Sequence, residues 1–166
     1  MKYFFNFEKL GYCKNKKNDG CILCKIAAKD QSIESLIVYE NEQFIVSLNL
    51  YPYNPAHCLI FPKRHVVDIR ALQPEEVYTL HTLETMMISV LEVQYNPAGF
   101  NIGFNMGLAA GASIEHLHLH IIPRYPNEIG IAELLAGKRV LVQDLKQTQE
   151  QLIAACNEYC KCNKLV

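Results

Sequence analysis

Residues 115–123 read Glu-His-Leu-His-Leu-His-Ile-Ile-Pro, and this alternation constrains the fold more than any other stretch of the chain. A period of two belongs to a β-strand, in which residues two apart point to the same face. The strand places His116, His118 and His120 on one face, about 6–7 Å apart. Leu117 and Leu119 point to the opposite face, which must be the core. Pro123 closes the strand. Three imidazoles in a row are not a packing solution, so their face must serve some chemistry.

The flanking text supplies the rest of a sheet. "LIVYE" (36–40) and "FIVSLN" (44–49) flank Asn41-Glu42-Gln43, which reads as a hairpin turn. "YPYNPA" (51–56) is a loop broken by two prolines, and "HCLIFP" (57–62) is a third strand. Pro74 opens a helix over 74–95, where Val77, Leu80, Leu83, Met87, Val90 and Leu91 recur at helical spacing. His81 lies on it and reads as a surface or packing residue. "AGFNIGFNM" (98–106) is a fourth strand that leads into the glycine-rich loop "GLAAGAS". Asp144 can cap a C-terminal helix over 143–163 with apolar positions at Leu145, Leu152, Ile153, Cys156 and Tyr159. Lys161 and Lys164 suit its dipole. Short connections predict an α+β fold: a five-stranded antiparallel sheet with a long central helix and a C-terminal helix on one side.

The 166 residues fit one domain over 1–166, with an irregular segment at 1–20. A hydrophobic share of 50% and a charged share of 20% describe a globular chain rather than a disordered one. A net charge of −1 argues against a nucleic-acid surface. No apolar run approaches the roughly 20 residues of a membrane span. Asn6 and Glu8 interrupt the start before a signal-peptide core forms. The expectation is a cytoplasmic protein with no membrane partner. Seven cysteines cannot complete a disulfide framework, and in the cytosol clustered thiols read as metal ligands. Cys58 reads as a small buried hydrophobe, and Cys156, Cys160 and Cys162 as structural.

Two chemistries compete for the histidines: a zinc site, or nucleophilic attack of a ring nitrogen on phosphorus. The preceding loop favours the second. Gly103, Gly107 and Gly111 permit close backbone approach, Ser113 adds a hydroxyl, and Asn105 adds an amide donor. Phosphate is the expected anion. No Gly-Lys-Ser/Thr follows, so this is not a Walker loop.

"HLHLHII" resembles the signature of the histidine triad (HIT) family. "LNLYPYNPAHCLIFPKRH" (48–65), "GFNIGFNMGLAAGAS" (99–113), "HLHLHIIPRY" (116–125) and "GKRVL" (137–141) are similar to the branch of diadenosine tetraphosphate phosphorylases and related nucleotide hydrolases. The resemblance covers roughly residues 20–145 and implies a mechanism. His118 would attack the α-phosphorus of an adenine (di)nucleotide, forming a nucleotidyl-histidine that water or inorganic phosphate then resolves. Its other ring nitrogen would be held by a main-chain carbonyl. Ser113, Gly111, Asn105 and His120 would stabilise the phosphoryl oxygens. Asn49 matches a ribose-binding position, and His57 a histidine near the active site. Leu36, Ile45 and Leu50 could line the base pocket. The family also implies a homodimer with sheets paired edge to edge. One departure stands out. Many members read Gly-Gln-Ser/Thr before the triad, and here Gly111-Ala112-Ser113 lacks that glutamine, as the phosphorylase-like branch does.

Cys21 and Cys24 have C-x-x-C spacing, which alone leaves redox chemistry, zinc or neither open. "CILCKI" resembles the start of many bacterial HIT proteins, and related hexose-phosphate uridylyltransferases bind a structural metal through similar cysteines. That likeness implies a structural zinc on Cys21, Cys24, His65 and His116, with no organic cofactor. The alternatives are a nucleoside phosphoramidase-type hydrolase, a non-catalytic nucleotide-binding protein, and a zinc hydrolase with all three histidines on the metal.

Overall fold

Asn41 turns the first hairpin: its Oδ1 accepts from the Gln43 N–H at 3.0 Å and the Phe44 N–H at 2.7 Å. Strands β1 (Ile37–Glu40) and β2 (Phe44–Leu48) run back from this turn, with a bulge in β1 between Ile37 and Tyr39. β3 (Cys58–Pro62) pairs with β2 from Phe44 opposite Pro62 to Leu48 opposite Cys58. The structure, a computed structural model, describes residues 20–126 and 144–163. The irregular segment expected at 1–20 thus lies almost wholly outside the described residues.

The central helix spans Pro74–Tyr95, as expected. Gln73 and Glu76 close a capping box at its start, and Asn96 ends it in the left-handed region at φ 44°. β4 (Gly99–Phe104) and β5 (Leu119–Arg124) complete the sheet, whose order is β1-β2-β3-β5-β4 with every pair antiparallel. A short helix α1 (Ile22–Ala27) precedes β1, so the central helix is α2 and the C-terminal helix, Leu145–Asn163, is α3. Asp144 caps α3 by accepting from the Lys146 and Gln147 amides at 2.8 and 3.2 Å.

The sheet buries two different faces. Val38, Val46, Cys58, Ile60, Leu119 and Ile121 pack against α2 and α3 in the main core, where Leu83, Met87, Leu91, Leu152 and Cys156 meet them. Fully burying such side chains is worth about 1.5–3 kcal/mol each. Burial pushes the Cys156 thiol up to about 12, so it packs as an inert apolar group. Ile45, Leu59 and Phe61 point the other way, towards Leu23 of α1. The helices therefore do not all lie on one side: α2 and α3 do, and α1 covers the opposite face.

Two apolar positions expected inside are not. Val77 is 50% exposed, because the first turn of α2 instead draws in Glu76, whose carboxylate receives Arg64 Nε at 2.6 Å. Ile153 is 37% exposed, since α3 turns Leu152, Cys156 and Cys160 inward at i, i+4 spacing. The Arg64–Glu76 pair matters for position. It anchors the loop after β3, and that loop carries His65.

Candidate functional site

The histidine run is only half strand. β5 begins at Leu119, and residues 116–118 enter it through a bend. The Leu117 amide bonds to the Val66 carbonyl at 2.6 Å, which ties the run to the loop after β3. Alternation survives: Leu117 and Leu119 are buried in the main core. The three histidines then diverge in what they touch.

His116 is buried and donates through Nε2–H to the Pro62 carbonyl at 2.9 Å. Its Nδ1 therefore carries the lone pair, and it lies 3.3 Å from Cys21 Sγ and 3.5 Å from Cys24 Sγ. His65 Nδ1 is 3.3 Å from Cys24 Sγ. All four ligand atoms fall within 4.8 Å of one another, so this group could hold a metal ion. The fit is good: a tetrahedral zinc with ordinary Zn–S and Zn–N lengths sets S and N about 3.6 Å apart. A histidine ligand whose far nitrogen donates to a carbonyl is also the arrangement zinc sites use. Burial pushes the His116 imidazole down to about 4, which keeps it neutral, as a ligand must be. Burial, then the neighbouring Cys21, pushes the Cys24 thiol up to about 11, so it stays a neutral thiol unless a metal displaces its proton.

His118 is bonded in the opposite sense. Its Nδ1–H donates to the His116 carbonyl at 2.6 Å, so Nε2 is the nitrogen left basic. His118 lines a pocket that also includes His120, Ser113, Asn105 and Asn49 at its polar end. The apolar end is built by Ile22 and Ile26 of α1 with Leu36 and Leu50. Ile45, the third residue expected there, is instead fully buried beneath α1. Helix α1 is not among the elements the sequence predicts, although Ile22, Leu23 and Ile26 at i, i+1, i+4 carry a helical signal.

His120 and His57 form a pair that no motif reveals. His57 Nδ1 accepts from the Tyr53 backbone N–H at 3.2 Å and from Asn49 Nδ2 at 3.3 Å. Its proton therefore sits on Nε2, which donates to His120 Nδ1 at 3.0 Å. That in turn puts the His120 proton on Nε2, so the Asn105 amide 3.5 Å away must turn its oxygen rather than its nitrogen to the ring. His57 is fully buried and stands behind His120, outside the pocket lining. Asn49 Oδ1 accepts from the Tyr51 amide at 3.0 Å, so its side chain is held on both ends.

The glycine loop wraps a short turn, Leu108–Ala110, between Gly107 (φ 84°) and Gly111 (φ 87°). The amides of Ala110, Gly111 and Ala112 are spent inside the loop, on Leu108 and Gly107 carbonyls. Gly111 thus offers the pocket space rather than a donor. Ala112 is buried. His81 is exposed on α2, 3.4 Å from Glu84, and does not line the pocket. "GKRVL" lies outside the described residues.

A five-stranded antiparallel sheet carrying a histidine run beside a glycine loop is the architecture of one known class. The model for the HIT domain matches residues 30–127, and the chain belongs to that family. It is 36% identical over 120 residues to an AP-4-A phosphorylase of Mycobacterium tuberculosis, covering 72% of this chain and 62% of that relative. The chain thus spans less than two thirds of that relative's length. It is 34% identical over 92 residues to a bis(5'-nucleosyl)-tetraphosphatase (asymmetrical) of Schizosaccharomyces pombe, covering 55% of this chain and 50% of the relative. A zinc-bound histidine triad family protein from Mycobacterium smegmatis superposes with a TM-score of 0.71 at 25% identity, covering 88% of this chain and 99% of that one. Among the described residues, no helix is long and apolar enough to cross a membrane.

Proposed function

We propose that the protein is a nucleotidyl hydrolase or transferase that acts on the α-phosphate of an adenine dinucleotide such as a dinucleoside polyphosphate. One observation carries the reading: the His116 carbonyl holds the proton on His118 Nδ1, and this orients a basic Nε2 in a pocket with a polar and an apolar end. His118 Nε2 forms a bond to the α-phosphorus as the bond to the bridging oxygen breaks. The electron pair leaves on that oxygen. Water or inorganic phosphate then attacks the nucleotidyl-histidine, loses a proton to solvent, and restores neutral His118.

The other roles follow from position. His120, Ser113 and Asn105 face the transferred phosphoryl oxygens, and Gly111 leaves them room. Asn49 meets the ribose. Ile22, Ile26, Leu36 and Leu50 take the base. His57 serves the phosphate only through His120. Cys21, Cys24, His65 and His116 would hold a zinc ion, which supplies a structural cross-link closed by four protein ligands. Reduced thiols at that site suit a cytoplasmic protein. β4 is an edge strand with Ile102 38% exposed, which suits an edge-to-edge homodimer. The curated relatives named for AP-4-A and bis(5'-nucleosyl) tetraphosphate support the substrate class.

The test is diadenosine tetraphosphate turnover with and without inorganic phosphate, in the wild type and in His118→Asn. ATP departs in either case; ADP that forms only with added phosphate identifies a phosphorylase, and AMP without ADP identifies a hydrolase. His118→Asn should retain nucleotide binding and lose turnover by roughly 10³-fold or more. Full activity in that variant would sink the mechanism.

A further inference from the structure

Among the described residues, Glu34 is the one acid that lines the pocket beside His118, and the transfer chemistry does not use it. It stands two residues before Leu36, on the side where Ile22, Ile26 and Leu36 build the apolar end. Its place is set from both directions along the chain. Asp30 Oδ1 accepts from the Ser32 amide at 2.9 Å and the Ser32 hydroxyl at 2.7 Å, which fixes the turn before it. The Leu36 carbonyl accepts from the Leu48 amide at 2.9 Å, which fixes the chain after it. A second element then reaches it. Lys146, in the first turn of α3, places Nζ 3.5 Å from Glu34 Oε1. Gln149, three residues on, donates through Nε2 to the Ile37 carbonyl at 2.9 Å, so α3 is tied to the start of β1. α3 lies beyond residues 30–127, so Lys146 comes to the pocket rim from outside the part that matches the HIT domain.

Apolar walls grip the faces of any base and leave its edge unread. A carboxylate only accepts hydrogen bonds, so it tells a donor from an acceptor on that edge. Oε1 faces Lys146, and Oε2 has no partner among the described residues. One open oxygen suits a single exocyclic amino group. We propose that Glu34 is the base-selecting residue: Oε2 accepts from the 6-amino group of adenine and disfavours purines that carry a 6-oxo group. This rests on the nucleotidyl-transfer reading above, in which the ribose and phosphate contacts hold the base in one pose. In that pose hypoxanthine or guanine sets O6, an acceptor, against the carboxylate. Lys146 is a positioning residue, because it holds Oε1 and so aims Oε2 at the base. The side chains of Glu34 and Lys146 are 54% and 60% exposed, so water softens the penalty for a wrong base. Discrimination is therefore expected on the order of tenfold, far below what a buried polar site gives.

The experiment measures Kd by calorimetry for AMP and for inosine 5'-monophosphate, whose base differs only at the 6-amino group and N1. The wild type should bind AMP about tenfold more tightly. Glu34→Ala should bring the ratio to within about twofold by weakening AMP while the inosine nucleotide binds no worse than before. Glu34→Gln should do the same, because its amide can turn a donor to O6 or an acceptor to the amino group. Lys146→Met should lower the ratio by only about two- to threefold. A wild-type ratio within about twofold overturns the selection, and so does a loss of affinity in Glu34→Ala that is equal for both nucleotides. The ratio of kcat/KM for diadenosine tetraphosphate to that for diinosine tetraphosphate should follow the same order across the variants. Equal turnover of the two by the wild type overturns the selection and leaves the transfer reading standing. Turnover of neither, with the AMP preference intact, overturns the transfer reading alone.

Discussion

His116 and His118 are the same residue type two positions apart, and their rings carry the proton on opposite nitrogens. His116 donates through Nε2 to Pro62, which turns Nδ1 towards two thiols. His118 donates through Nδ1 to the carbonyl of His116 itself, which turns Nε2 towards the pocket proposed to hold the nucleoside. Neither role is written in the imidazole. A backbone acceptor on one side of each ring selects the tautomer, and the tautomer selects the chemistry. The two roles are also coupled, because the carbonyl that orients His118 belongs to the candidate metal ligand.

The largest effects should separate the two residues. His118→Asn should lose roughly 10³-fold or more in turnover while its bound zinc is retained. His116→Asn, or the Cys21→Ser/Cys24→Ser pair, should lose the zinc, read by metal analysis of the purified protein. At zinc a thousandfold above its Kd, the ion contributes about 4 kcal/mol of stability. Its removal by a chelator should lower Tm by roughly 8–16 °C for a chain of this size. If chelation left Tm unchanged, the metal half of the comparison would fail. Equal zinc loss in His118→Asn would show that the division of labour is wrong.

A smaller effect should come from His57, which fixes the His120 proton on Nε2 without reaching the pocket. His57→Leu should lower kcat on the order of tenfold with KM little changed, since a donor to the phosphoryl oxygens is lost when the His120 tautomer is released. His57→Gln keeps a side-chain donor and should recover part of the loss. A KM effect alone, or no recovery with glutamine, would assign His57 to packing.

The fold was legible wherever local chemistry and tertiary packing agree. Asn41 signalled the hairpin, and Pro74 with the apolar spacing set α2 to the residue. α1 was not legible, because its six residues have no side-chain cap and Ile22, Leu23 and Ile26 gain stability only by packing on β2 and β3. The histidine run was over-read as strand. The alternation is real, but pairing with the Val66 loop replaces the ladder before Leu119. The metal group spans 95 residues from Cys21 to His116, a distance that only the family likeness bridged. The His57–His120 bond joins residues 63 apart and leaves no trace in spacing. Gly111 was expected as a phosphate contact, and its amide is already engaged with Leu108, a detail of loop closure no motif encodes.

The central claim is a covalent nucleotide on His118. The most direct measurement mixes the protein with diadenosine tetraphosphate, quenches at alkaline pH within milliseconds, and maps any added nucleotide mass by peptide mass spectrometry. The account predicts an adenylyl group on the peptide carrying His118, absent from His118→Asn. An adduct on His116 or His120, or inversion at phosphorus with no adduct at any time, would contradict it.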